Sequence, residues 1–365
     1  MIYLDNGATS FQKPPAVARA VAKALAHCAN PGRGGYGAAM AAAETVFCCR
    51  ERAAGLFGCK PEQVVLTSNC THALNLAIRT LVKPGDRVVI SGFEHNAVTR
   101  PLYALGAGVE VAARRLFDWE EALESFEKAL KKKPKAAIFT HVSNVFGYIL
   151  PVEQMAWLCR RYGVPFIIDA AQSAGTLPIS LDGLGADYIA MPGHKGLLGP
   201  QGTGLLLCGA VPEPLLYGGT GSESEEQGMP RLLPERAEAG TLNVPGFAGV
   251  AAGLEHLRRV GVENIAIREQ IQAKRCANGL IKLGFTTFCG PCQLGTVSFV
   301  PPMDCEDAAA FFADRGIALR AGLHCAPLAH ESAGTLETGT VRVSFGHLAA
   351  DWQTDRFLTA AAALC

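Results

Sequence analysis

A lysine at position 195 directly follows a predicted buried strand. The apolar run 188–191 is typical of a short strand, and Pro192-Gly193 ends it with a turn. A second apolar run, 204–208, predicts another strand after a glycine-rich stretch. A lysine between two buried strands is costly unless it is neutral or used covalently, because burial disfavours the charged form. A neutral amine can form a Schiff base, which gives Lys195 a candidate covalent role; a turn lysine that faces water is the simpler alternative.

Polar side chains also follow four earlier predicted strands. Apolar, strand-like runs occupy residues 64–67, 87–91, 136–141 and 165–169, and helical patterns separate them. This alternation is typical of an α/β fold with a parallel sheet covered on both faces. Ligands of such sheets bind at the carboxyl ends of the strands. The polar residues expected at that edge are Cys70, Thr71, His95, Asn144, Asp169, Gln172, His194 and Lys195.

These residue types match what pyridoxal 5′-phosphate (PLP) requires from a protein. Lys195 would bind the cofactor covalently, Asp169 would keep the pyridine nitrogen protonated, and Gln172 would donate to the ring hydroxyl. His95 would stack on the ring. Taken singly, Asp169 could be a helix cap and His95 a surface histidine, but the combination favours a PLP site. The expected phosphate cup is formed by Cys70, Thr71 and His194.

Composition limits the remaining possibilities. The 365 residues suggest roughly two domains, and 33 basic residues balance 33 acidic ones. We therefore expect no nucleic-acid partner, and no apolar run is long enough to predict a membrane span. The thirteen cysteines are scattered, their spacing predicts no metal site, and no signal-peptide pattern precedes them. Mostly reduced thiols in a cytoplasmic protein are the expectation.

The last hundred residues have a different pattern. Strand-like runs at 284–288, 296–300, 317–320 and 340–345 combine with helical patterns at 306–315 and 351–364. A helix from about 248, with a break at Gly261, would bridge to this part. The pattern predicts a smaller α+β domain.

The tetrapeptide Cys289-Gly290-Pro291-Cys292 is similar to the thioredoxin redox motif. That motif opens a helix, where the dipole favours the thiolate. Here it lies between two strand-like runs, so a hairpin loop is the expected structure and a redox role is disfavoured.

Several segments, in order along nearly the whole chain, resemble the class V aminotransferase family. Within it they are similar to the cysteine desulfurases and selenocysteine lyases of the second group. The matching segments are Tyr3-Leu4-Asp5-Asn6, Glu94-His95, Asn144, Asp169-Ala-Ala-Gln172, Gly193-His194-Lys195, Glu238-Ala-Gly-Thr241 and Arg320-Ala-Gly-Leu-His324-Cys325.

The resemblance implies a fold-type I PLP transferase that acts as a homodimer. It implies a large PLP-binding domain at 15–250 around a mainly parallel seven-stranded sheet between helices. Residues 1–14 and 251–365 would form the small domain.

The resemblance also implies roles for individual residues. Lys195 would carry the cofactor, and His95 would be both the stacking residue and an acid/base group. Thr241 would reach the phosphate in the neighbouring subunit. Asn144 and Arg342 would hold the substrate carboxylate, a role that suits the bidentate fork of arginine.

Cys325 separates a desulfurase from an aminotransferase in this family. It would take the sulfur of L-cysteine as a persulfide, releasing L-alanine, and pass it to an acceptor protein. His324 and Arg320 are expected to be positive neighbours that favour its thiolate. The alternatives are a selenocysteine lyase acting on L-selenocysteine, an aminotransferase or racemase, and a PLP-binding scaffold without activity.

Two positions differ from the family pattern. Pro192 stands where relatives commonly have serine or threonine, so one hydroxyl contact to the phosphate is missing. Tyr36 stands where relatives often have histidine.

Overall fold

A computed structural model describes residues 1–32 and 34–364. The strands are β1 Ile2–Tyr3, β2 Val64–Thr67, β3 Arg87–Ser91, β4 Gly108–Ala112, β5 Ala136–Thr140, β6 Phe166–Asp169, β7 Tyr188–Pro192, β8 Gly204–Cys208, β9 Thr286–Phe288, β10 Thr296–Val300, β11 Ile317–Ala318, β12 Arg320–Gly322 and β13 Thr340–Ser344. The helices are α1 Pro15–His27, α2 Gly37–Phe57, α3 Cys70–Leu81, α4 Asn96–Ala104, α5 Trp119–Leu130, α6 Val152–Tyr162, α7 Leu181–Leu184, α8 Val244–Val260, α9 Val262–Lys282, α10 Cys305–Asp314, α11 Pro327–Ala333 and α12 Asp351–Ala361.

The central sheet has seven strands in the order β2-β8-β7-β6-β5-β3-β4. Strand β8 alone runs opposite to the other six, and it pairs antiparallel with β2 on one side and with β7 on the other. The predicted α/β fold with a mainly parallel seven-stranded sheet is confirmed.

Both faces of this sheet are apolar. Val89 and Phe139 point into a core shared with α2, α5, α6 and α8, whereas Val88 and Ile138 point into a core shared with α3 and α4. Successive side chains of a strand alternate between faces, so each strand must be apolar throughout to be covered on both sides.

A separate core lies beneath the C-terminal sheet, whose order is β12-β13-β10-β9. Ile2 and Leu4 belong to this core, and β1 pairs in parallel with β11. Residue 250 lies within α8, whose buried face, including Val250 and Leu257, packs in the large core. The division into domains at residue 250 stays a prediction.

Some elements differ from the sequence prediction. Strand β4 and helix α5 were not predicted; β4 is an edge strand with Val109 42% exposed, so it lacks a buried apolar run. The predicted strand 317–320 is two strands, because β11 pairs with β1 and β12 pairs with β13. The break at Gly261 is confirmed, and its φ of 84° separates α8 from α9.

No helix among residues 1–32 and 34–364 is both long and apolar enough to cross a bilayer. Every cysteine in the same part of the chain is a free thiol.

Candidate active site

A cavity of about 230 Å³ lies at the carboxyl ends of the central strands. Every predicted site residue except Thr241 lines it: Lys195, Cys325, His95, Asp169, Gln172, Cys70, Thr71, His194, Asn144, Arg320 and Arg342. They come from five loops of the central sheet and from β12, β13 and the loop after β12. The sheet topology therefore brings together residues up to 272 positions apart in sequence, from Cys70 to Arg342.

Lys195 lies in the turn after β7, and the N-terminal segment holds its backbone. The Ser10 hydroxyl donates a hydrogen bond to the Lys195 carbonyl over 2.8 Å. The carbonyl of His194 accepts from the Ser10 N–H at 3.1 Å, the Thr9 hydroxyl at 3.2 Å and the Lys13 ammonium at 3.3 Å. These contacts fix the direction from which the Lys195 side chain enters the cavity.

The surroundings of Lys195 favour the neutral amine. Burial lowers its pKa most, and the nearby Arg342 guanidinium lowers it further, against the opposing effect of Asp169. No carboxylate within residues 1–32 and 34–364 forms an ion pair with its ammonium group. A larger neutral fraction makes the amine available as a base or nucleophile.

Asp169 ends β6 as a buried carboxylate that is 2% exposed. Its Oδ1 accepts from the Ala171 N–H at 2.9 Å and from the Cys70 thiol at 3.6 Å. Burial and the neighbouring Asp169 raise the pKa of Cys70 well above its usual range, so that thiol stays protonated. These hydrogen bonds hold the Asp169 carboxyl group in a fixed orientation at the cavity wall.

The first turn of α3 also faces the cavity, through Cys70 and Thr71. Asn69 caps this helix, because its side-chain oxygen accepts from the His72 N–H at 2.8 Å. Gly204 allows β8 to pass close to the cap: a Cβ there would lie 2.6 Å from the Asn69 carbonyl carbon. A helix N-terminus with free N–H groups favours an anion such as a phosphate.

His95 caps α4, and its Nδ1 accepts a hydrogen bond from the Ala97 N–H at 3.0 Å. This contact places the ring proton on Nε2. Burial lowers the His95 pKa, against the effect of Asp169, so the ring is neutral. The preceding Glu94 is fully buried and accepts from the Ser91 hydroxyl and from the Thr140 N–H, the latter at 2.8 Å.

His194 and Gln172 both contact the N-terminal segment. His194 Nδ1 lies 3.1 Å from the Thr9 hydroxyl, and burial lowers its pKa to about 4. Gln172 Nε2 donates to the Gly7 carbonyl at 3.0 Å. One N–H of that amide remains for another acceptor, because the group carries two.

Two arginines and an asparagine lie at the end of the cavity nearest β12 and β13. Arg342 is 1% exposed and donates to the Asn144 carbonyl at 2.9 Å and to Asp5 Oδ1 at 2.6 Å. Arg320 is about half exposed, and its Nε lies 3.5 Å from Asp5 Oδ2. This end of the cavity is suited to a carboxylate.

Cys325 is exposed in a loop with strained backbone. His324 and Cys325 both have positive φ, 51° and 57°, a region that residues other than glycine seldom adopt. The Asn144 amide donates to the His324 carbonyl at 2.8 Å, and the Asn96 N–H donates to the Cys325 carbonyl at 2.7 Å. The loops of the central sheet therefore hold the conformation that presents the Cys325 thiol.

The expectation that His324 is a positive neighbour of Cys325 is wrong. Burial, Arg342 and His330 together lower the His324 pKa to about 2, so its ring is neutral. His324 Nε2 lies 3.2 Å from the Thr340 carbonyl, and its ring centre lies 5.8 Å from that of buried His330. His324 supports the loop by packing, which leaves Arg320 as the charged neighbour on β12.

Thr241 lies outside this cavity, exposed on the wall of a separate cavity of about 610 Å³. The Glu238–Thr241 segment is anchored at its start, because Glu238 forms a buried ion pair with Arg50 at 2.6 Å. Glu238 also accepts from the Leu66 N–H at 2.6 Å. The anchor fixes the segment on β2 and α2 and leaves Thr241 available to another molecule.

Cys289 and Cys292 lie in the loop of the β9–β10 hairpin, as predicted, and not at the start of a helix. Burial raises the pKa of Cys292. In the described part of the chain, no group of three or more histidine, cysteine, aspartate or glutamate residues is placed to hold a metal ion.

Sequence reasoning missed the role of the segment between β1 and α1. Asp5, Gly7, Thr9 and Ser10 all contact site residues. The available signal was a cluster of turn-forming residues, 6–10, directly after a short strand. The cluster resembles the other loops at the cavity, but it follows a strand, β1, that lies outside the central sheet.

Comparisons with known proteins agree with this geometry. A family model described as aminotransferase class-V matches residues 2–357. A probable cysteine desulfurase of Pyrococcus abyssi is 33% identical over 362 residues, covering 94% of this chain and 89% of the relative. A cysteine desulfurase of Haloferax volcanii is 30% identical, covering 99% and 88%.

Solved structures give the same result. The apo structure of a cysteine desulfurase from Thermococcus onnurineus NA1 superposes with a TM-score of 0.91 at 33% identity, covering 100% of this chain and 94% of that one. A cysteine desulfurase from Escherichia coli shares the fold, with a TM-score of 0.86 at 24% identity and the same coverage.

Proposed function

The chain belongs to the class-V aminotransferase family, and from that premise we propose that it is a cysteine desulfurase. It converts L-cysteine to L-alanine and keeps the sulfur as a persulfide on Cys325. The observation that carries the proposal is the position of Cys325, which lines the same cavity as Lys195 in a strained, exposed loop. The relatives described above are cysteine desulfurases, so the selenocysteine lyase alternative is not favoured.

The residues of the cavity fit PLP as the cofactor. A buried carboxylate at Asp169, an amine of lowered pKa at Lys195 and a helix N-terminus at Cys70 are the groups the cofactor requires. Lys195 would hold it covalently, Asp169 would face the pyridine nitrogen, and the first turn of α3 would bind the phosphate. When bound, PLP withdraws electrons from the substrate Cα and so makes its proton acidic.

The other contacts to the cofactor come from the remaining predicted residues. Gln172 would donate to the ring hydroxyl through its second amide N–H, and His95 would stack on the ring. Thr71 and His194 would complete the phosphate site beside the α3 N-terminus. Pro192 lines the cavity without a hydroxyl, so the α3 N–H groups would provide more of the contacts to the phosphate.

Binding of the substrate carboxylate falls to Arg342 and Asn144. Arg342 is buried and held by the Asn144 carbonyl and Asp5, so its guanidinium is oriented before substrate arrives. A fixed guanidinium binds a carboxylate with less loss of side-chain entropy than a mobile one. Arg320 is exposed beside it and adds positive charge at the entrance.

The chain's own groups then move protons and sulfur. Lys195 takes the Cα proton, because its neutral amine is favoured by burial. The Cys325 sulfur forms a bond to the substrate sulfur while the substrate Cβ–S bond breaks. In the net exchange the Cys325 thiol proton ends on the alanine methyl group, and the transferred sulfur keeps its proton as a persulfide. His95 can carry a proton on Nε2, since its Nδ1 is occupied by the Ala97 N–H.

Two partners belong to the proposal. In a homodimer, Thr241 would reach the phosphate bound by a second copy of the chain. Its exposure, outside the cavity that contains Lys195 of the same chain, is consistent with this role. A sulfur-acceptor protein would take the persulfide, since Cys325 is exposed. A cytoplasmic location remains a prediction from the cysteine content.

The proposal is tested by incubating the purified protein with L-cysteine and a reductant and quantifying alanine and sulfide. Wild type should give equal amounts of both, Cys325→Ala should give no sulfide, and the matched control Cys289→Ala should behave as wild type. Lys195→Ala should lose the visible absorbance of the bound cofactor. Full sulfide release by Cys325→Ala, or neither product from a protein with bound cofactor, would reject the proposal.

A further inference from the structure

Asp5 lies between the two arginines of the cavity. Its Oδ1 accepts from Arg342 Nη2 at 2.6 Å, and its Oδ2 lies 3.5 Å from Arg320 Nε. Arg342 and Arg320 line the cavity where a substrate carboxylate would bind. One carboxylate of the protein therefore already contacts both cations of this subsite.

The backbone fixes Asp5 in this position. Asp5 forms a parallel bridge with Ser344, two residues beyond Arg342 on the same strand. The Ser344 N–H donates to the Leu4 carbonyl at 2.7 Å, and the Gly7 N–H donates to the Ser344 hydroxyl at 2.8 Å. The backbone of Asp5 cannot move away from the arginines without breaking these hydrogen bonds.

The charges of this end of the cavity leave one positive charge unpaired. Arg320 and Arg342 carry two positive charges, and Asp5 carries one negative charge. The three histidines of the cavity wall add no charge, because burial lowers the pKa of His95, that of His194 to about 4 and that of His324 to about 2. A net charge of one matches a ligand with a single carboxylate.

We propose that Asp5 is a specificity-determining residue that matches the subsite to amino acids with one carboxylate and disfavours dicarboxylates. The proposal rests on the proposed function only in taking Arg342 as the group that binds the substrate carboxylate. Without Asp5, the two arginines would present two positive charges to the cavity. A second ligand carboxylate would then be attracted, whereas Asp5 now repels it.

The test measures binding of propionate and malonate to the purified holoenzyme by calorimetry at constant ionic strength. The quantity compared is the dissociation constant of malonate divided by that of propionate. Asp5→Asn should lower this ratio by about tenfold, so that malonate binds relatively more tightly, because one negative charge is removed within contact distance of the arginines. Asp5→Glu should keep the wild-type ratio. Arg342→Met should lose propionate binding; if it does not, the anion binds elsewhere and the proposal fails.

Asp5→Asn leaves a buried arginine with a weaker partner and could unfold the protein. Arg320→Gln, at an exposed position, keeps the test decisive. It lowers the net charge from one to zero, so the same ratio should rise. The contrary result is a wild-type ratio in both Asp5→Asn and Arg320→Gln, with each variant folded, together with loss of binding in Arg342→Met. It would show that Asp5 has only a structural role. Because binding needs no turnover, a shifted ratio in a protein without desulfurase activity would reject the proposed function and leave this proposal standing.

Discussion

The backbone N–H of Asn96 donates a hydrogen bond to the carbonyl oxygen of Cys325 over 2.7 Å. Asn96 directly follows His95, so the loop that presents the thiol is tied to the loop that would stack on the cofactor. A second tie joins Asn144 to the His324 carbonyl. The positive φ of His324 and Cys325 is stabilised by these contacts, and the thiol is positioned relative to the central sheet before any ligand binds.

Glu94 should make stability depend on pH. Burial raises its pKa from 4.5 to about 8, so the folded protein holds a proton that the unfolded chain releases. The stability from the neutral carboxyl is fully present below pH 4.5 and is lost as the pH rises through about 8. Each pKa unit corresponds to roughly 1.4 kcal/mol, so the total is a few kcal/mol. Glu94→Gln stays neutral and can still accept from the Thr140 N–H.

Thermal unfolding of wild type and Glu94→Gln across that pH range checks this prediction. The unfolding temperature of wild type should fall relative to that of Glu94→Gln as the pH rises. The exposed variant Glu124→Gln should follow wild type throughout. Parallel curves for wild type and Glu94→Gln would show that Glu94 is ionised in the folded protein.

Most residues of the cavity could be predicted from the sequence because they follow one local pattern, a polar residue just after an apolar strand. Asp169 and Lys195 each lie just beyond a continuous apolar strand, and parallel strands place those ends at one edge of the sheet. The role of Asp5 does not follow this pattern and was not predicted, and Arg342 was expected only from the family resemblance. Asp5 and Arg342 are 337 residues apart and meet only because β1 pairs with β11 and residue 5 bridges to β13.

The edge strand β4 was also not predicted from the sequence. Strand β4 pairs only with β3 and leaves Val109 exposed, so its apolar pattern is weak. The neutral state of His324 depends on burial by β13 and α11, which its neighbours in sequence do not reveal. Charge and burial arise from tertiary packing, whereas strand ends are local.

Gly204→Ala should weaken cofactor binding. A Cβ at position 204 would lie 2.6 Å from the carbonyl carbon of Asn69, the residue that caps α3. Such overpacking costs about 1–3 kcal/mol, and it would displace the helix N-terminus expected to bind the phosphate. Titration of the apo protein with PLP, followed by visible absorbance, should show about tenfold weaker binding.

The matched control is Gly55→Ala in α2. Nothing lies within 4 Å of a Cβ there, so this variant should bind PLP as wild type does. It should be more stable by about 0.5–1 kcal/mol, because alanine favours a helix over glycine. Unchanged PLP affinity in Gly204→Ala would remove the α3 N-terminus from the phosphate site.

Ser10→Ala should slow turnover without loss of cofactor. The Ser10 hydroxyl donates to the Lys195 carbonyl at 2.8 Å, and that carbonyl keeps a second hydrogen bond from the Leu198 N–H at 2.9 Å. Loss of one hydrogen bond costs about 1 kcal/mol, so the lysine is less well positioned. Steady-state kinetics with L-cysteine should show a kcat lower by about two- to fivefold, with KM unchanged.

Thr359→Ala is the control for Ser10→Ala. The Thr359 hydroxyl donates to the Asp355 carbonyl at 2.9 Å on the exposed side of α12, and Thr359 does not line the cavity. Its kcat should equal that of wild type. A change in KM alone for Ser10→Ala would indicate that the segment affects substrate binding and leaves Lys195 unmoved.

The most direct test of the account is mass spectrometry of the cysteine peptides after a single turnover with L-cysteine in the absence of reductant. One additional sulfur atom is expected on Cys325 and none on Cys289 or Cys292. Alanine formed in equal amount to that persulfide would complete the result. Alanine without added sulfur on Cys325, or sulfur on another cysteine instead, would contradict it.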